Sequence, residues 1–329
     1  GDFSIDFVEG NDKLKDLKGL LCQPLESLIS RITGIGFGLH IVWRNWKRIS
    51  RSDILVSTVD TCGLPLSMLK SMGVLSQPLI YFSQGLSDRI ERLPDNFINR
   101  FVKTKYIKWI GSANRIVVLG NGAVQSMEKT FDLSNGKVSA VHFGVDDNFW
   151  SPGDMPEIKD YILSIGSDQA RDYDTLLKAT GKYPLHIVTR LKIKNISPSH
   201  NVTVKSDYSD LELRDLYRRC RFVVIPIKDI SQPSGQSATL QAMACGKTVI
   251  LTQTGGLWDS TVMIHNNNCI LVPPSDPDSL RDAINYIWQN HDISVNISKA
   301  ARKTIESHYS SRQFANKLLE YINETSREI

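Results

Sequence analysis

Short runs of apolar, mostly β-branched residues alternate with amphipathic segments along most of this 329-residue chain. The segments DILVST (53–58), QPLIYFS (77–83) and RIVVLG (115–120) predict strands, and GLPLSMLKSMG between the first two has apolar residues at helical spacing. Strands separated by helices indicate parallel βαβ units with helices on both faces of a sheet. The sequence therefore predicts an α/β fold.

The alternation is interrupted between Val141 and Asp160, where Gly, Pro and Asp residues cluster as they do in interdomain linkers. A second series of predicted strands then follows: YILSIGS (161–167), LHIVTRL (185–191), RFVVIPI (221–227), KTVILT (247–252) and CILVPP (269–274). Helical segments separate most of these strands. The chain thus contains two successive α/β series.

A chain of this length is too long for a single typical hydrophobic core and fits two domains. We predict a Rossmann-like N-terminal domain over residues 1–149, a Rossmann-like C-terminal domain over 150–308, and a terminal helix over 309–329 that packs back toward the first domain. Doubly wound domains of this kind bind ligands at the carboxyl ends of their strands, so we expect a central cleft that both domains face.

Composition excludes several classes of protein. No apolar run approaches the roughly 20 residues of a transmembrane helix, and the opening GDFSIDFVEG lacks the regions of a signal peptide. The net charge of +4 is too small for a dedicated nucleic-acid binder, but it suits anionic small ligands or peripheral contact with an anionic membrane. Five cysteines without a CxxC pair predict a reducing compartment, so we expect a cytoplasmic protein without a zinc site.

The segment from Ser231 to Ser237 joins a predicted strand to a predicted helix. Gly235 permits close approach of the backbone to a ligand, and Ser234 and Ser237 provide hydroxyl groups beside the helix N-terminus. Such a loop can hold a phosphate or diphosphate. The alternative is a serine-capped turn without a ligand, and these residues alone do not separate the two interpretations.

Four stretches, in the same order, resemble glycosyltransferase family 4. The stretch LQAMACGKTVILTQTGG resembles the C-terminal signature of that family, and three earlier stretches resemble its linker and nucleotide-binding elements: VHFGVDDNFWSPG, YILSIGSDQARDYDTLLKA and YSDLELRDLYRRCRFVVIPI. The resemblance implies a GT-B fold of two Rossmann-like domains. It also implies a UDP- or GDP-linked sugar donor, held by the C-terminal domain, and hexosyl transfer with retention that needs no metal ion or cofactor. The acceptor would be a saccharide or a lipid-linked molecule in surface glycan biosynthesis.

The resemblance also indicates site residues. Arg171 occupies the position of a family lysine, where a guanidinium can hold two diphosphate oxygens. Arg190 lies at the cleft end of a predicted strand and is a second candidate cation. The predicted donor-binding set is Gly166, Ser167, Arg171, Arg190, Ser234, Gly235, Gln236, Ser237 and Gln241.

Several positions depart from the family pattern. The family's E-x7-E pair falls on Pro233 and Gln241, so both carboxylates are missing, although the amide of Gln241 can still bind ribose hydroxyls. A family histidine near the donor sugar falls around Ser83–Gly85, where Gln84 is the candidate catalytic replacement. These departures suggest a divergent branch, a different donor sugar or lost activity. They leave two alternatives open: a nucleotide-sugar epimerase, which would need acid–base side chains, and an inactive nucleotide-sugar-binding subunit.

Three further segments lead to structural predictions. The segment FSIDFVE (3–9) can be the second strand of a family-type first domain, with the first βα unit missing. The glycine-rich GIGFG (34–38) follows no predicted strand and is predicted to be a flexible loop. The sequence Asp276-Pro277-Asp278 fits the start of a helix better than a metal-binding DxD motif.

Overall fold

The computed structural model describes residues 4–8, 16–154, 157–196, 201–230 and 233–327. It divides into two compact units, one made of residues 1–141 together with 318–329, the other of residues 142–317. The division falls within the glycine- and proline-rich segment, earlier than residue 149. Each unit is built on a parallel sheet, so the predicted α/β class is confirmed.

The first unit contains a four-stranded parallel sheet in the order β1-β2-β3-β4. The strands are β1 (Leu55–Ser57), β2 (Leu79–Ser83), β3 (Arg115–Val118) and β4 (Val138–Ala140). The helices that come before β4 in the chain are α1 (Leu17–Thr33), α2 (Leu39–Arg44), α3 (Trp46–Ile49), α4 (Asp60–Ser71), α5 (Leu86–Glu91), α6 (Phe97–Gly111) and α7 (Gly122–Phe131). The three strands that the sequence predicted in this unit are confirmed as β1, β2 and β3.

The second unit contains a six-stranded parallel sheet in the order β10-β9-β8-β5-β6-β7. The strands are β5 (Ile162–Ile165), β6 (Leu185–Val188), β7 (Val202–Lys205), β8 (Phe222–Ile225), β9 (Val249–Thr252) and β10 (Ile270–Val272). The helices are α8 (Tyr173–Thr180), α9 (Asp210–Arg219), α10 (Gln236–Ala244), α11 (Pro277–Gln289) and α12 (His291–Thr304), followed by a π-helical turn at Ile305–Tyr309. The last helix, α13 (Ser311–Arg327), begins in this unit. The strand order reverses between β5 and β8, which is the topological switch point of a Rossmann sheet.

The start of α11 shows how local sequence determines an element. The Asp276 side chain accepts hydrogen bonds from the backbone N–H groups of Asp278 and Ser279, and Pro277 is the first helical residue, where no N–H is needed. The interpretation of this segment as a helix start is confirmed.

Residues 34–38 form the predicted loop, without regular secondary structure, and this loop is packed into the first unit. Ile35 and Phe37 are buried in the core of the first unit, and the Gly38 N–H donates to the Thr61 carbonyl oxygen. A Cβ on Gly36 would lie 2.5 Å from Thr61 Oγ1. The glycines here allow two chain segments to pack closely.

The expected strand FSIDFVE is also not found. Residues 4–8 have no regular secondary structure, while Phe3 and Glu9 lie outside the described residues.

The end of the C-terminal helix α13 belongs to the first unit. The Tyr321 hydroxyl donates to the Ala140 carbonyl oxygen at 2.7 Å, and Arg115 forms a 2.9 Å ion pair with Glu324. The Arg115 guanidinium also lies 4.8 Å from the centre of the Tyr321 ring. These contacts join α13 to β3 and β4.

The packing of α4 on β2 predicts a steric effect at Gly63. A Cβ at this position would lie 2.2 Å from two ring atoms of Tyr81, which is completely buried. We expect Gly63→Ala to lower the free energy of unfolding by about 1–3 kcal/mol, measured by urea denaturation. The control is Gly111→Ala, whose Cβ meets nothing within 4 Å and which should be neutral or stabilising by up to about 1 kcal/mol. Equal effects of the two changes would rule out the contact with Tyr81 as the cause.

Candidate functional site

The loops that follow β5 and β8 are joined at the switch point of the second sheet. Arg171 forms an isolated antiparallel bridge with Ile227, and the Lys228 N–H donates to the Ala170 carbonyl oxygen at 2.8 Å. The Asp172 N–H donates to the Pro226 carbonyl oxygen at 3.1 Å. Because ligands of such sheets bind at the switch point, these loops form a candidate ligand-binding site.

The Arg171 side chain is buried between two glycines. A Cβ on Gly166 would lie 2.0 Å from Arg171 Nε, and a Cβ on Gly235 would lie 2.8 Å from Arg171 Nη1. Both glycines have positive φ angles, 149° and 76°. The two residues therefore provide both the backbone conformation and the space that the guanidinium occupies.

Three buried nitrogen atoms at this position have no hydrogen-bond partner among the residues that the structure describes: Arg171 Nε, Arg171 Nη1 and Gln236 Nε2. Gln236 is the first residue of α10, and the N-cap of that helix, Gly235, provides no side-chain hydrogen bond. Unpaired donors at an uncapped helix N-terminus form an environment suited to an anion.

Burial lowers the pKa of the Arg171 guanidinium below its usual value, and the neighbouring Tyr173 and Asp168 raise it by less. A guanidinium nevertheless remains protonated in proteins. Arg171 is thus a buried cation whose loss of hydration is only partly compensated by the protein. An anionic ligand would complete that compensation.

Ser234 forms a side-chain hydrogen bond within the protein. Its hydroxyl donates to Asp168 Oδ2 at 2.8 Å, while Asp168 Oδ1 accepts a hydrogen bond from the Ala170 N–H. The Ser234 proton is therefore engaged within the protein, and the bond connects the loop after β5 to the loop before α10. The sequence reasoning missed Asp168, although an Asp directly after a strand is a common turn residue.

The structure brings Ser167 and Arg190 together. The Ser167 hydroxyl oxygen accepts a hydrogen bond from the Arg190 backbone N–H at 2.8 Å, and both side chains are exposed. Ser237 is exposed on the first turn of α10. Gln241, one turn further along, is half-buried, and its Oε1 accepts a 3.3 Å hydrogen bond from the Tyr217 hydroxyl.

Gln84 lies in the first unit, directly after β2. Its Nε2 donates to the Thr58 carbonyl oxygen at 2.9 Å, so this amide connects the carboxyl ends of β1 and β2. Its backbone N–H points to Asp60 Oδ1 at 3.3 Å. The side chain is exposed.

Asp60 is a buried carboxyl group that the sequence reasoning missed. It is the first residue of α4, and its Oδ1 accepts a 2.6 Å hydrogen bond from the Tyr81 hydroxyl. Burial raises the pKa of this carboxyl above its usual value, and the hydrogen bonds from Tyr81 and Gln84 oppose the shift without cancelling it. The only sequence signal is an acidic residue between a strand and a helix.

Within the described ranges, no group of three or more His, Cys, Asp or Glu side chains is arranged to hold a metal ion.

The raised pKa of Asp60 predicts a pH-dependent effect. When the pKa of a carboxyl group is higher in the folded protein than in the unfolded chain, the group favours the folded state at low pH. This contribution to stability is lost as the pH rises through the folded-state pKa, because the ionised form is buried. We expect Asp60→Asn to match the wild type at about pH 4 and to be equally or more stable at neutral pH, since Asn can still accept the Tyr81 hydrogen bond.

The comparison variant is Asp60→Ala, which leaves the buried Tyr81 hydroxyl without a partner and should lower the free energy of unfolding by about 1–3 kcal/mol at both pH values. Urea denaturation at the two pH values measures both effects. A loss in Asp60→Asn at neutral pH as large as that in Asp60→Ala would contradict the assignment.

Part of the chain is similar in sequence to known proteins. Residues 157–290 match the family model described as glycosyl transferases group 1. Two uncharacterised glycosyltransferases of Methanocaldococcus jannaschii are similar in sequence. MJ1178 is 27% identical over 139 residues, which is 41% of this chain and 37% of that protein. MJ1607 is 33% identical over 98 residues, 30% of this chain and 24% of that protein. The matches thus span well under half of these relatives.

Solved structures resemble a larger part of the chain. Sucrose-phosphate synthase from Thermosynechococcus elongatus has a TM-score of 0.71 at 15% identity, covering 87% of this chain and 77% of that one. Anabaena Alr3699/HepE, solved in complex with UDP, has a TM-score of 0.70 at 15% identity, covering 86% and 82%. The chain therefore has the fold of the GT-B glycosyltransferases, and its residues 157–290 are similar to the group 1 glycosyl transferases.

Proposed function

We propose that this chain transfers a hexosyl group from a UDP- or GDP-linked donor to a saccharide or lipid-linked acceptor, with retention and without a metal ion or cofactor. The observation that carries the proposal is the buried Arg171 guanidinium, with two unpaired nitrogen atoms beside the N-terminus of α10. Anabaena Alr3699/HepE, which has the same fold, has been solved with UDP and with UDP-glucose. We place the activity in the cytoplasm, in surface glycan biosynthesis.

The proposed chemistry depends on charge that develops on the leaving group. When the bond from the sugar to the diphosphate breaks, negative charge accumulates on the diphosphate oxygens. Arg171 can donate two hydrogen bonds to these oxygens, and Gln236 Nε2 and the first N–H groups of α10 can donate others. These donors are held in place before the reaction, so little reorganisation is needed as the charge develops.

The missing carboxylates affect the sugar and ribose ends of the donor more than the diphosphate. An anion site built from nitrogen donors needs no carboxylate. Gln241 replaces one of the two, and we propose that its amide contacts the ribose hydroxyls, since only its oxygen is engaged by Tyr217. Pro233 offers no side-chain hydrogen bond at the other position. The donor sugar is therefore held there by other groups.

The remaining predicted residues have supporting roles in this proposal. The backbone of Gly166 and Ser167 and the side chains of Arg190 and Ser237 border the donor. Ser234 positions the loop through Asp168 rather than donating to phosphate.

On the first unit, we propose that Gln84 contacts the reacting sugar through its amide oxygen, since its Nε2 is bound to Thr58. Asp60 acts as a positioning residue for the Gln84 backbone.

Arg171→Met provides the sharpest test of the diphosphate site. Removing a partly compensated buried cation should raise the free energy of unfolding of the unliganded protein by about 1–3 kcal/mol. The same change should weaken UDP or GDP binding by about tenfold to a hundredfold, because a charge-assisted pair of hydrogen bonds is lost. Thermal unfolding without nucleotide and calorimetric titration with it measure the two effects.

The matched control is Arg302→Met. Arg302 Nη1 donates to the carbonyl oxygens of Asp147, Trp150 and Ala244 at 2.8–3.1 Å, so its guanidinium is well paired within the protein. This variant should lose stability by about 1–3 kcal/mol and keep its nucleotide affinity. Unchanged affinity in Arg171→Met would refute the diphosphate role of Arg171.

Donor turnover tests the activity itself. The wild type, incubated with candidate UDP- and GDP-sugars and a panel of saccharide and lipid-linked acceptors, should release nucleoside diphosphate in an acceptor-dependent reaction. Interconversion of the donor sugar without an acceptor would instead indicate an epimerase. Tight nucleotide binding without turnover would indicate an inactive binding subunit, and absence of nucleotide binding would contradict all three.

A further inference from the structure

The first turns of α6 expose three large apolar side chains. Phe97 is 85% exposed, Ile98 58% and Phe101 57%. The opposite face of the helix is buried and includes Tyr106 and Ile110, so α6 is anchored in the core of the first unit. Large exposed apolar side chains that lie together commonly mark a contact surface.

The charge of α6 indicates what this surface contacts. The helix carries Arg100, Lys103, Lys105 and Lys108 and has no acidic residue between Phe97 and Gly111. Asp95, just before the helix, pairs with Arg100 at 2.7 Å. The three lysines therefore leave an excess of positive charge, and the Lys105 ammonium lies 5.1 Å from the centre of the Phe101 ring. Exposed aromatic side chains with interspersed lysines match the interface of an anionic bilayer.

The first turns of α6 lie toward the carboxyl edge of the first sheet. The chain enters β3 beside the start of β2, where the Asn114 N–H donates to the Leu79 carbonyl oxygen. The C-terminus of α6 is therefore at the amino edge of the sheet. A helix of 15 residues is about 22 Å long, so its first turns lie toward the carboxyl edge. That is the edge that carries Gln84 and Asp60.

We propose that the apolar first turns of α6 (residues 97–101), with Lys105 and Lys108, dock this protein on an anionic lipid surface. Phe97, Ile98 and Phe101 enter the headgroup region, while the lysines contact lipid phosphates. None of the helices that the structure describes has the length and hydropathy of a membrane-spanning segment.

Resting on the proposed function, the inference also selects an acceptor class. A membrane-bound carboxyl edge would present Gln84 to an acceptor that is itself held in the bilayer. The acceptor is then lipid-linked rather than a free saccharide.

The experiment is sedimentation of the full chain with vesicles. One set contains only phosphatidylcholine, and the other contains phosphatidylcholine mixed with anionic phosphatidylglycerol. The wild type should bind the anionic vesicles at least about tenfold more tightly, and added salt should weaken that binding. Phe97→Ser with Phe101→Ser should lower the affinity at least about tenfold, and Lys105→Gln with Lys108→Gln should lower it and reduce its dependence on salt.

The matched control removes exposed apolar side chains at the other edge of the sheet. Met72 and Val74, which follow α4, are 65% and 52% exposed, and Met72→Ser with Val74→Ser should leave vesicle binding unchanged. Equal vesicle binding by all variants, or no binding by the wild type, would overturn the proposal. So would loss of self-association in Phe97→Ser/Phe101→Ser with unchanged vesicle binding, because a second copy would then cover the surface.

A parallel measurement separates this inference from the proposed function. Each surface variant is titrated with UDP and GDP by calorimetry. Normal nucleotide binding together with absent vesicle binding would refute only the lipid surface. Vesicle binding without nucleotide binding would refute only the transferase proposal.

Discussion

A buried positive charge without full compensation organises the second unit. The Arg171 guanidinium lies where β5 and β8 diverge, and the loops after both strands are joined by backbone hydrogen bonds around it. Buried charged groups of this kind cluster at ligand-binding sites, where a bound molecule supplies the missing partners. The same donors that lack partners in the free protein would meet the diphosphate of a sugar donor. The incomplete hydrogen bonding of Arg171 in the free protein and its proposed role in binding thus have the same cause.

Much of the fold could be predicted from the sequence because the central strands are buried on both faces. Their uninterrupted β-branched runs, such as RFVVIPI, have no other favourable location. The strands that the sequence analysis missed are β4 and β7, which lie at sheet edges. Three of the four residues of β7 are exposed, so no run of buried apolar residues marks this strand. A run of apolar residues predicts a strand best where the strand is buried.

The site was predictable only in part, for a related reason. The glycines and the cation of the proposed diphosphate site stand in sequence motifs, and the structure brings Gly166, Arg171 and Gly235 together. Asp168 and Asp60 act through partners far along the chain, Ser234 and Tyr81, and no local pattern reports such pairs. At residues 34–38 the sequence predicted the loop but not its close packing against Thr61, which depends on a residue far along the chain.

The packing of Arg171 against two glycines has a consequence for how this site can change over time. A side chain at Gly166 or Gly235 would occupy the space of the guanidinium, and a smaller cation at position 171 would leave a gap between the two loops. The three positions are therefore interdependent, although they lie in separate segments of the chain. We therefore expect a change at any one of the three positions to disturb the packing of the other two.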